Sequence, residues 1–432
     1  MSKVFVLDTN KQPLAPCYEA RARQLLSKGK ASVYRRFPFT IILKRSIERP
    51  DKGHRRLKID PGSRTTGIAI VNQDTGEIEF AAELKHRGRQ IKSALDSRRV
   101  IRRSRRHRKA RYRKPRFLNR AKPKGWLAPS LISRVYNIET WVNRLRKLCP
   151  ISAISMELVR FDMQKMQNPE VSGVEYQQGE LFGYEVREYL LEKWGRKCAY
   201  CSAEETRLEV EHIIPKVRGG NHRVSNLTLA CTPCNQKKGS QTAEEFGFPK
   251  IEQQAKQPLK DAAAVNATRW KLYERLMATG QPVEVGTGGR TKFNRRQQNL
   301  PKTHWLDAAC VGESTPSILK TEWGRPLIIT ATGHGSRQMC RTDRFGFPLT
   351  HKARVKHRFG WQTGDLAKAI IPRGKYKGVY RLGRIVAKSG SFLFAPPGVS
   401  GPERISINWK YLTPVHRNDG YSYSLAQVCP SF

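Results

Sequence analysis

Hydrophobic and polar positions change period several times along this chain, and each change marks an element. Val4 to Leu7 and Thr40 to Leu43 read as short strands around a basic helix, Glu19 to Lys28, that stops at Gly29. This predicts a small α/β module, with Pro13-Leu14-Ala15-Pro16 as a rigid turn inside it. From Arg56 to Val71, RLKIDPGSRTTGIAIV reads as a strand, a Pro-Gly turn and a second strand. Leu131 to Leu148 has the spacing of an amphipathic helix, and Ile151 to Val159 that of a buried strand. Residues 161–180 read as a loop, and Leu181 to Trp194 as a helix.

The apolar stretch Leu208 to Ile214 predicts a strand, Gly219-Gly220-Asn221 a turn, and Leu227 to Ala230 a returning strand. A polar run from Cys234, just after Pro233, can begin a helix. Lys260 to Met277 follows as a helix, Pro282 to Val285 as an extended piece, and Gly286 to Arg290 as a glycine-rich turn without phosphate-loop spacing. His304 and Asp307 stand at i and i+3 of a further helix, hence on one face. From about residue 325 short strands and turns predict a β barrel or sandwich, with Phe345, Phe347, Phe359, Trp361, Tyr376 and Tyr380 interleaved. Those aromatics serve either as core or as stacking surfaces for unpaired bases.

Charge narrows the function classes. Lysine and arginine outnumber acids 81 to 36 in 432 residues, a formal charge of +45, so a polyanion is the expected partner. Membrane residence is not expected, because no apolar run of about 18 to 20 residues is present. The start, MSKVFVLDTN, lacks a signal-peptide core, and the nine cysteines comprise four in metal-ligand spacing and five scattered, the usage of a reducing cytoplasm. Fourteen lysines and arginines crowd residues 89–118, among them Arg98, Arg99, Arg102, Arg103, Arg105, Arg106, Arg108, Lys109, Arg111 and Arg113. As a helix this run would repel itself and order against phosphates; a solvated face is the other reading.

Two Cys-x-x-C pairs, Cys198/Cys201 and Cys231/Cys234, have the spacing of a tetrahedral zinc shell. A zinc ribbon that only binds nucleic acid would use the same cysteines. Between and after them, Glu211-His212 on the first strand, Asn226 before the second and Asn235 at the helix resemble the HNH (ββα-metal) nuclease family, in order. The resemblance implies that Glu211 and Asn235 hold magnesium, that neutral His212 takes a proton from the attacking water, and that Asn226 braces the hairpin. His222 reads as solvated.

Asp60 ends one strand, Glu157 lies in another, and His304 and Asp307 share a helix. Singly, Asp60 could open a turn and Glu157 could form a salt bridge. Together they resemble the acids of a RuvC-type nuclease split into three segments. That order, with the HNH module between the second and third segments and the arginine run after the first, resembles the IscB family, in which Pro13-Leu14-Ala15-Pro16 stands for the PLMP motif. The resemblance implies an α/β multidomain protein: an N-terminal domain (1–53), RuvC segment I (54–86), a bridge helix (87–120), segment II (121–180), an HNH domain (181–250), segment III (251–325) and a β-rich RNA- and target-adjacent-motif-contacting region (326–432). It further implies Mg2+ at Asp60, Glu157 and Asp307, structural Zn2+, an omega (guide) RNA, and double-stranded target DNA with a flanking motif. The expected activity of the monomeric ribonucleoprotein is cleavage of the guide-paired strand by HNH and of the displaced strand by RuvC. An unguided HNH homing-type endonuclease or a nickase is the alternative.

Overall fold

Leu57, Ile59, Ile68, Ile70 and Leu84 are wholly buried, and the strands that carry them lie side by side at the middle of the largest sheet. The computed structural model describes residues 3–50, 53–107, 126–158, 187, 190, 191, 193–195, 197–204, 206–256, 260–321, 325–334, 340–345, 347–351, 355, 357–374, 376–388, 391–395 and 404–426. The chain divides into two units, 1–157 with 275–432, and 158–274.

The first unit begins with β1 (Lys3–Leu7), β2 (Pro13–Tyr18), α1 (Glu19–Ser27), β3 (Ala31–Arg35) and β4 (Thr40–Leu43), in the sheet order β2-β1-β4-β3. The expected turn at Pro13 to Pro16 is instead strand β2, pairing Leu7 with Pro13 and Val6 with Leu14. The prolines are tolerated because β2 is an edge strand, where a missing N–H costs no ladder bond.

β5 (Arg55–Asp60), β6 (Thr65–Asn72) and β7 (Ile78–Lys85) form an antiparallel meander. α2 (Gly88–His107) follows and packs on α3 (Pro129–Arg146), whose Val135, Ile138, Trp141, Val142 and Leu145 are buried. β8 (Ala153–Glu157) then lies parallel to β5.

The second unit holds the antiparallel pair β9 (Leu208–His212) and β10 (Leu227–Cys231), then α4 (Thr232–Lys238) and α5 (Lys250–Lys256). α4 starts before Cys234, because Pro233 fits its first turn. The loop expected over 161–180 and most of the helix expected from Leu181 to Trp194 lie outside the described residues. α6 (Lys260–Met277) has the expected bounds.

Back in the first unit, β11 (Val283–Gly286) pairs parallel with β8. The glycine-rich turn proves to start a helix, α7 (Gly288–Gln297), whose cap is Thr287 accepting from the Arg290 N–H at 3.3 Å. α8 (His304–Ala309) and β12 (Leu327–Ala331) follow, then the two-stranded β13 (Cys340–Thr342) and β14 (Pro348–His351). β15 (Leu366–Ile371), β16 (Gly378–Ala387), β17 (Phe392–Ala395), β18 (Ile405–Ile407) and β19 (Leu412–His416) form an antiparallel sheet around Trp361, Ile385, Phe392 and Phe394. β20 (Tyr421–Leu425) closes the chain's described strands.

The large sheet runs β11-β8-β5-β6-β7-β12-β20. The expected boundary at 325/326 therefore cuts through it: β12 pairs with β7 and β20 with β12. Strand pattern alone does not name a strand's neighbour. No described helix is long and apolar enough to cross a membrane.

Candidate active sites

In the second unit, Cys198 and Cys201 form a tight knuckle: the Ser202 N–H donates to the Cys198 carbonyl at 3.0 Å, with Ser202 at φ +59°. The Ala199 N–H donates to the Leu229 carbonyl at 2.8 Å, fastening the knuckle to β10. Cys231 ends β10 and Cys234 lies in α4, so the hairpin brings all four sulfurs within 4.8 Å of one another, Cys201 and Cys231 at 3.6 Å. A tetrahedron of Zn–S bonds of about 2.3 Å needs sulfurs about 3.8 Å apart. Burial, then the Cys231 and Cys201 sulfurs, push the Cys234 thiol up. Burial also opposes ionisation of Cys198, yet the backbone N–H groups of Cys201, Cys231 and Tyr200 bring it down to about 7. Thiols so crowded ionise together only around a cation, and zinc fits them.

Period-2 alternation turns Glu209 and Glu211 toward α4, and they meet different partners there. Glu211 is buried; Tyr200 donates its hydroxyl to Oε2 at 2.7 Å, and the wholly buried Lys238 donates to Oε1 at 2.6 Å and to the His212 carbonyl at 2.9 Å. Asn235 donates to Glu209 at 2.9 Å, and Thr232 to the same carboxylate at 3.2 Å. The expected Glu211–Asn235 magnesium pair is thus corrected: Lys238 and Tyr200 engage both Glu211 oxygens, and the carboxylate facing Asn235 is Glu209. A magnesium held between Glu211 and Asn235 does not fit this arrangement. The sequence reading overlooked Glu209 and Lys238, although two acids spaced by two on one strand were a signal that either could face the helix.

Asn226 spans the hairpin loop, accepting from the Ile214 N–H at 2.9 Å and donating to the carbonyls of Ile214 at 3.0 Å and Asn221 at 2.9 Å. His212 Nε2 lies 3.3 Å from His222 Nδ1, with the rings edge to face. His222 is exposed, but it borders the site rather than standing apart. Burial, then the neighbouring His222, Lys216 and Lys238, lower the His212 pKa, which favours the neutral imidazole a proton acceptor needs.

In the first unit a register row collects the other acids. Asp60 pairs with Gly67, Gly67 with Glu83, and Glu157 with Gly286; Asp60 and Glu157 each stand one residue beyond the Ile59–Met156 pair. Partners in register share a sheet face, so all these residues face the same way. The glycines make room for a neighbour: a Cβ on Gly67 would meet the His304 carbonyl, and one on Gly286 the Gly312 nitrogen at 2.8 Å. The segment from α8 to Gly312 therefore crosses the row where Asp60 and Glu157 lie.

The next row on that face is polar. Lys58, wholly buried, donates to the Val311 carbonyl at 2.8 Å and Thr315 Oγ1 at 3.0 Å. Burial pushes its pKa down to about 7 against the pull of Glu284. Glu284 accepts from Ser155 at 2.5 Å, Arg56 at 3.1 Å and the Ser314 N–H at 3.0 Å. These bonds pin the turn after α8 to the sheet.

His304 is exposed at the first position of α8, and Asp307 pairs with Arg295 of α7 at 2.8 Å. Among the described residues, the four cysteines are the sole group of three or more His, Cys, Asp or Glu ligand atoms within 4.8 Å of one another. Asp60 and Glu157 end adjacent inner strands, and the segment that carries His304 and Asp307 crosses their row, without the four forming one ligand shell. Their oxygen donors, two on adjacent strands, fit a hard cation.

Arg98, Arg99, Arg102 and Arg103 are exposed on α2. The side chains of Arg105 and Arg106, and all of Arg108, Lys109, Arg111 and Arg113, lie outside the described structure.

Two family profiles match the chain: one described as RRXRR protein over residues 4–179, the other as HNH endonuclease over residues 198–250. The first span includes Arg102-Arg103-Ser104-Arg105-Arg106. Among solved structures, Streptococcus thermophilus Cas9 in complex with the AGAA PAM is 14% identical at TM-score 0.25, over 60% of this chain and 32% of that one. The Type II-C Cas9 enzyme from Actinomyces naeslundii is 17% identical at TM-score 0.16, over 46% and 28%. The chain thus spans about a third of the length of the first. No curated protein matches it. With its cysteines, hairpin and helix in place, the segment 198–250 is an HNH endonuclease domain.

Proposed function

We propose that this chain is an RNA-guided DNA endonuclease with two centres, as the IscB resemblance implies. The observation that carries the reading is the row that aligns Asp60 with Glu157 beneath the α8 segment, in a chain that also holds an HNH domain. A three-strand antiparallel meander extended beyond its first strand by two parallel strands, β8 and then β11, is also what an RNase H-like RuvC domain requires. An unguided HNH nuclease would need neither. The exposed arginines of α2 suit a duplex backbone, and the charge of +45 suits a large RNA.

In the first centre, Asp60, Glu157 and Asp307 would hold magnesium, which when bound supplies Lewis acidity toward a phosphate oxygen. Lys58 and Glu284 keep the α8 segment over these acids, and His304 stands exposed at its start to accept a proton. In the HNH domain, neutral His212 takes the proton of the attacking water, Asn226 holds the loop, and zinc fastens the hairpin ends. HNH cuts the guide-paired strand and the Asp60 centre the displaced strand.

The test is to sequence RNA that copurifies with the protein and use it to programme plasmid cleavage in magnesium. Asp60→Ala should leave cutting of the guide-paired strand alone, and His212→Ala cutting of the displaced strand alone. Guide-independent nicking with heterogeneous RNA would overturn the reading in favour of an unguided HNH nuclease.

A further inference from the structure

Two turns beside the C-terminal five-stranded sheet carry an aromatic pair that stays open to solvent. Arg358 and Trp361 exchange both backbone hydrogen bonds, at 2.8 and 2.9 Å, closing a two-residue turn whose central residues, Phe359 and Gly360, have φ +50° and +77°. Left-handed backbone suits Gly360, but a bulky residue such as Phe359 is rare there. Backbone strain of this kind clusters at functional sites. The Phe359 ring lies parallel to Trp409, centroids 5.0 Å apart and planes at 8°. Both remain open to solvent, Phe359 at 59% and Trp409 at 36%, whereas the true core rings Phe392 and Phe394 are at 1% and 0%.

Hydrogen bonds hold the two turns that carry this pair. Arg417 donates to the Gly360 carbonyl at 2.9 Å, and Asn408 caps the Trp409–Tyr411 turn by accepting from the Lys410 N–H at 3.1 Å. Buried Asp365 accepts from the Gln362 and Asn418 N–H groups at 3.0 and 2.8 Å, tying the two loops together. The rings border a pocket of about 230 Å³ that Lys410, Pro414, His416 and Arg417 also line. A flat aromatic face beside two exposed cations is complementary to a base with its phosphate.

We infer that Phe359 and Trp409 form a stacking site for an unpaired nucleobase, with Lys410 and Arg417 positioned for the adjoining phosphates. The inference rests on the nucleic-acid reading above and assigns residues to it. RNA and single-stranded DNA offer the same chemistry.

The test uses the full chain, free of copurified RNA, with single-stranded 12-mers of RNA, of DNA, and of abasic phosphate backbone. Binding is read at raised salt, where phosphate contacts weaken and stacking persists. Phe359→Gly suits the turn, so its fold should hold, as thermal melting would verify; Trp409→Leu removes the second ring. Each should weaken binding of base-bearing oligomers by about tenfold or more and leave the abasic backbone unchanged. A larger loss for the RNA or the DNA oligomer identifies the source. Crosslinking of a 4-thiouridine 12-mer should label the Phe359 or Trp409 peptide. Unchanged affinity, equal loss for the abasic backbone, or lowered melting with full binding would each overturn the site. Because the readout is binding, its failure leaves guided cleavage by the two centres standing, and failure of guided cleavage leaves the stacking site standing.

Discussion

The His304 carbonyl oxygen occupies the place a Cβ on Gly67 would take, and Gly67 is the register partner of Asp60. Backbone, unlike a flexible side chain, cannot step aside there. Gly67→Ala should lift α8 off the sheet, at about 1 to 3 kcal/mol of stability. Cutting of the displaced strand should be lost while the HNH-dependent strand is still cut, as labelled-strand cleavage would show. Equal loss on both strands would mean a global folding defect.

Glu209 and Glu211 should behave differently. Glu211→Gln leaves the wholly buried Lys238 without its carboxylate, a loss of about 3 to 5 kcal/mol, so melting of the HNH domain should fall with its activity. Glu209→Gln leaves that pair intact and should lower cutting of the guide-paired strand with little change in melting. If Glu209→Gln cuts normally while Glu211→Gln is stable and inactive, the roles drawn from the hydrogen bonds are reversed.

Zinc content should be one per chain by atomic emission, carried by the four cysteines. Chelation, or Cys231→Ser, should unfold the HNH domain and abolish its strand's cleavage, since structural zinc binding is folding free energy. The first unit should melt as before. A zinc-free protein with full HNH cutting would contradict the shell.

Asp419 sets an acid limit on the first unit. It pairs with Arg144 at 2.9 Å and with Arg35 of β3 at 3.0 Å. Burial raises its pKa, but His416, Tyr423 and Arg144 outweigh burial and hold the carboxyl well below its usual range. The folded value lies below the unfolded one of about 3.9, so this stabilisation is complete above about pH 4 and is lost as pH falls through the folded value. Denaturant titrations should show stability declining below pH 4, and Asp419→Asn should flatten that decline while costing stability at pH 7.

Much of the candidate site was legible locally. Cys-x-x-C spacing predicts a knuckle because few residues separate the ligands, and the hairpin around Gly219 and Gly220 follows from short-range turn chemistry. Glu157 is marked by lying in a buried apolar strand, where an acid needs a partner, and Asp60 by the RuvC resemblance. Partners that depend on facing geometry were not legible. Lys238 reads as one more surface lysine of a basic chain, yet it is wholly buried against Glu211, and Asn235 meets Glu209. One step along a strand reverses the face, and two steps along the same face move about 7 Å, enough to exchange one partner for another.

The sequence by itself determined most of the described elements, though not β2 or α7, together with the cysteine shell, the polyanion-directed charge and the acids' places at strand ends, because propensity, spacing and turn chemistry act over a few residues. Tertiary structure alone decided that β12 and β20 complete the large sheet, that Gly67 and Gly286 admit the α8 segment, and that Phe359 is displayed on Trp409. Those relations join residues tens to hundreds of positions apart, and the packing that selects them is a property of the assembled surfaces rather than of any one segment.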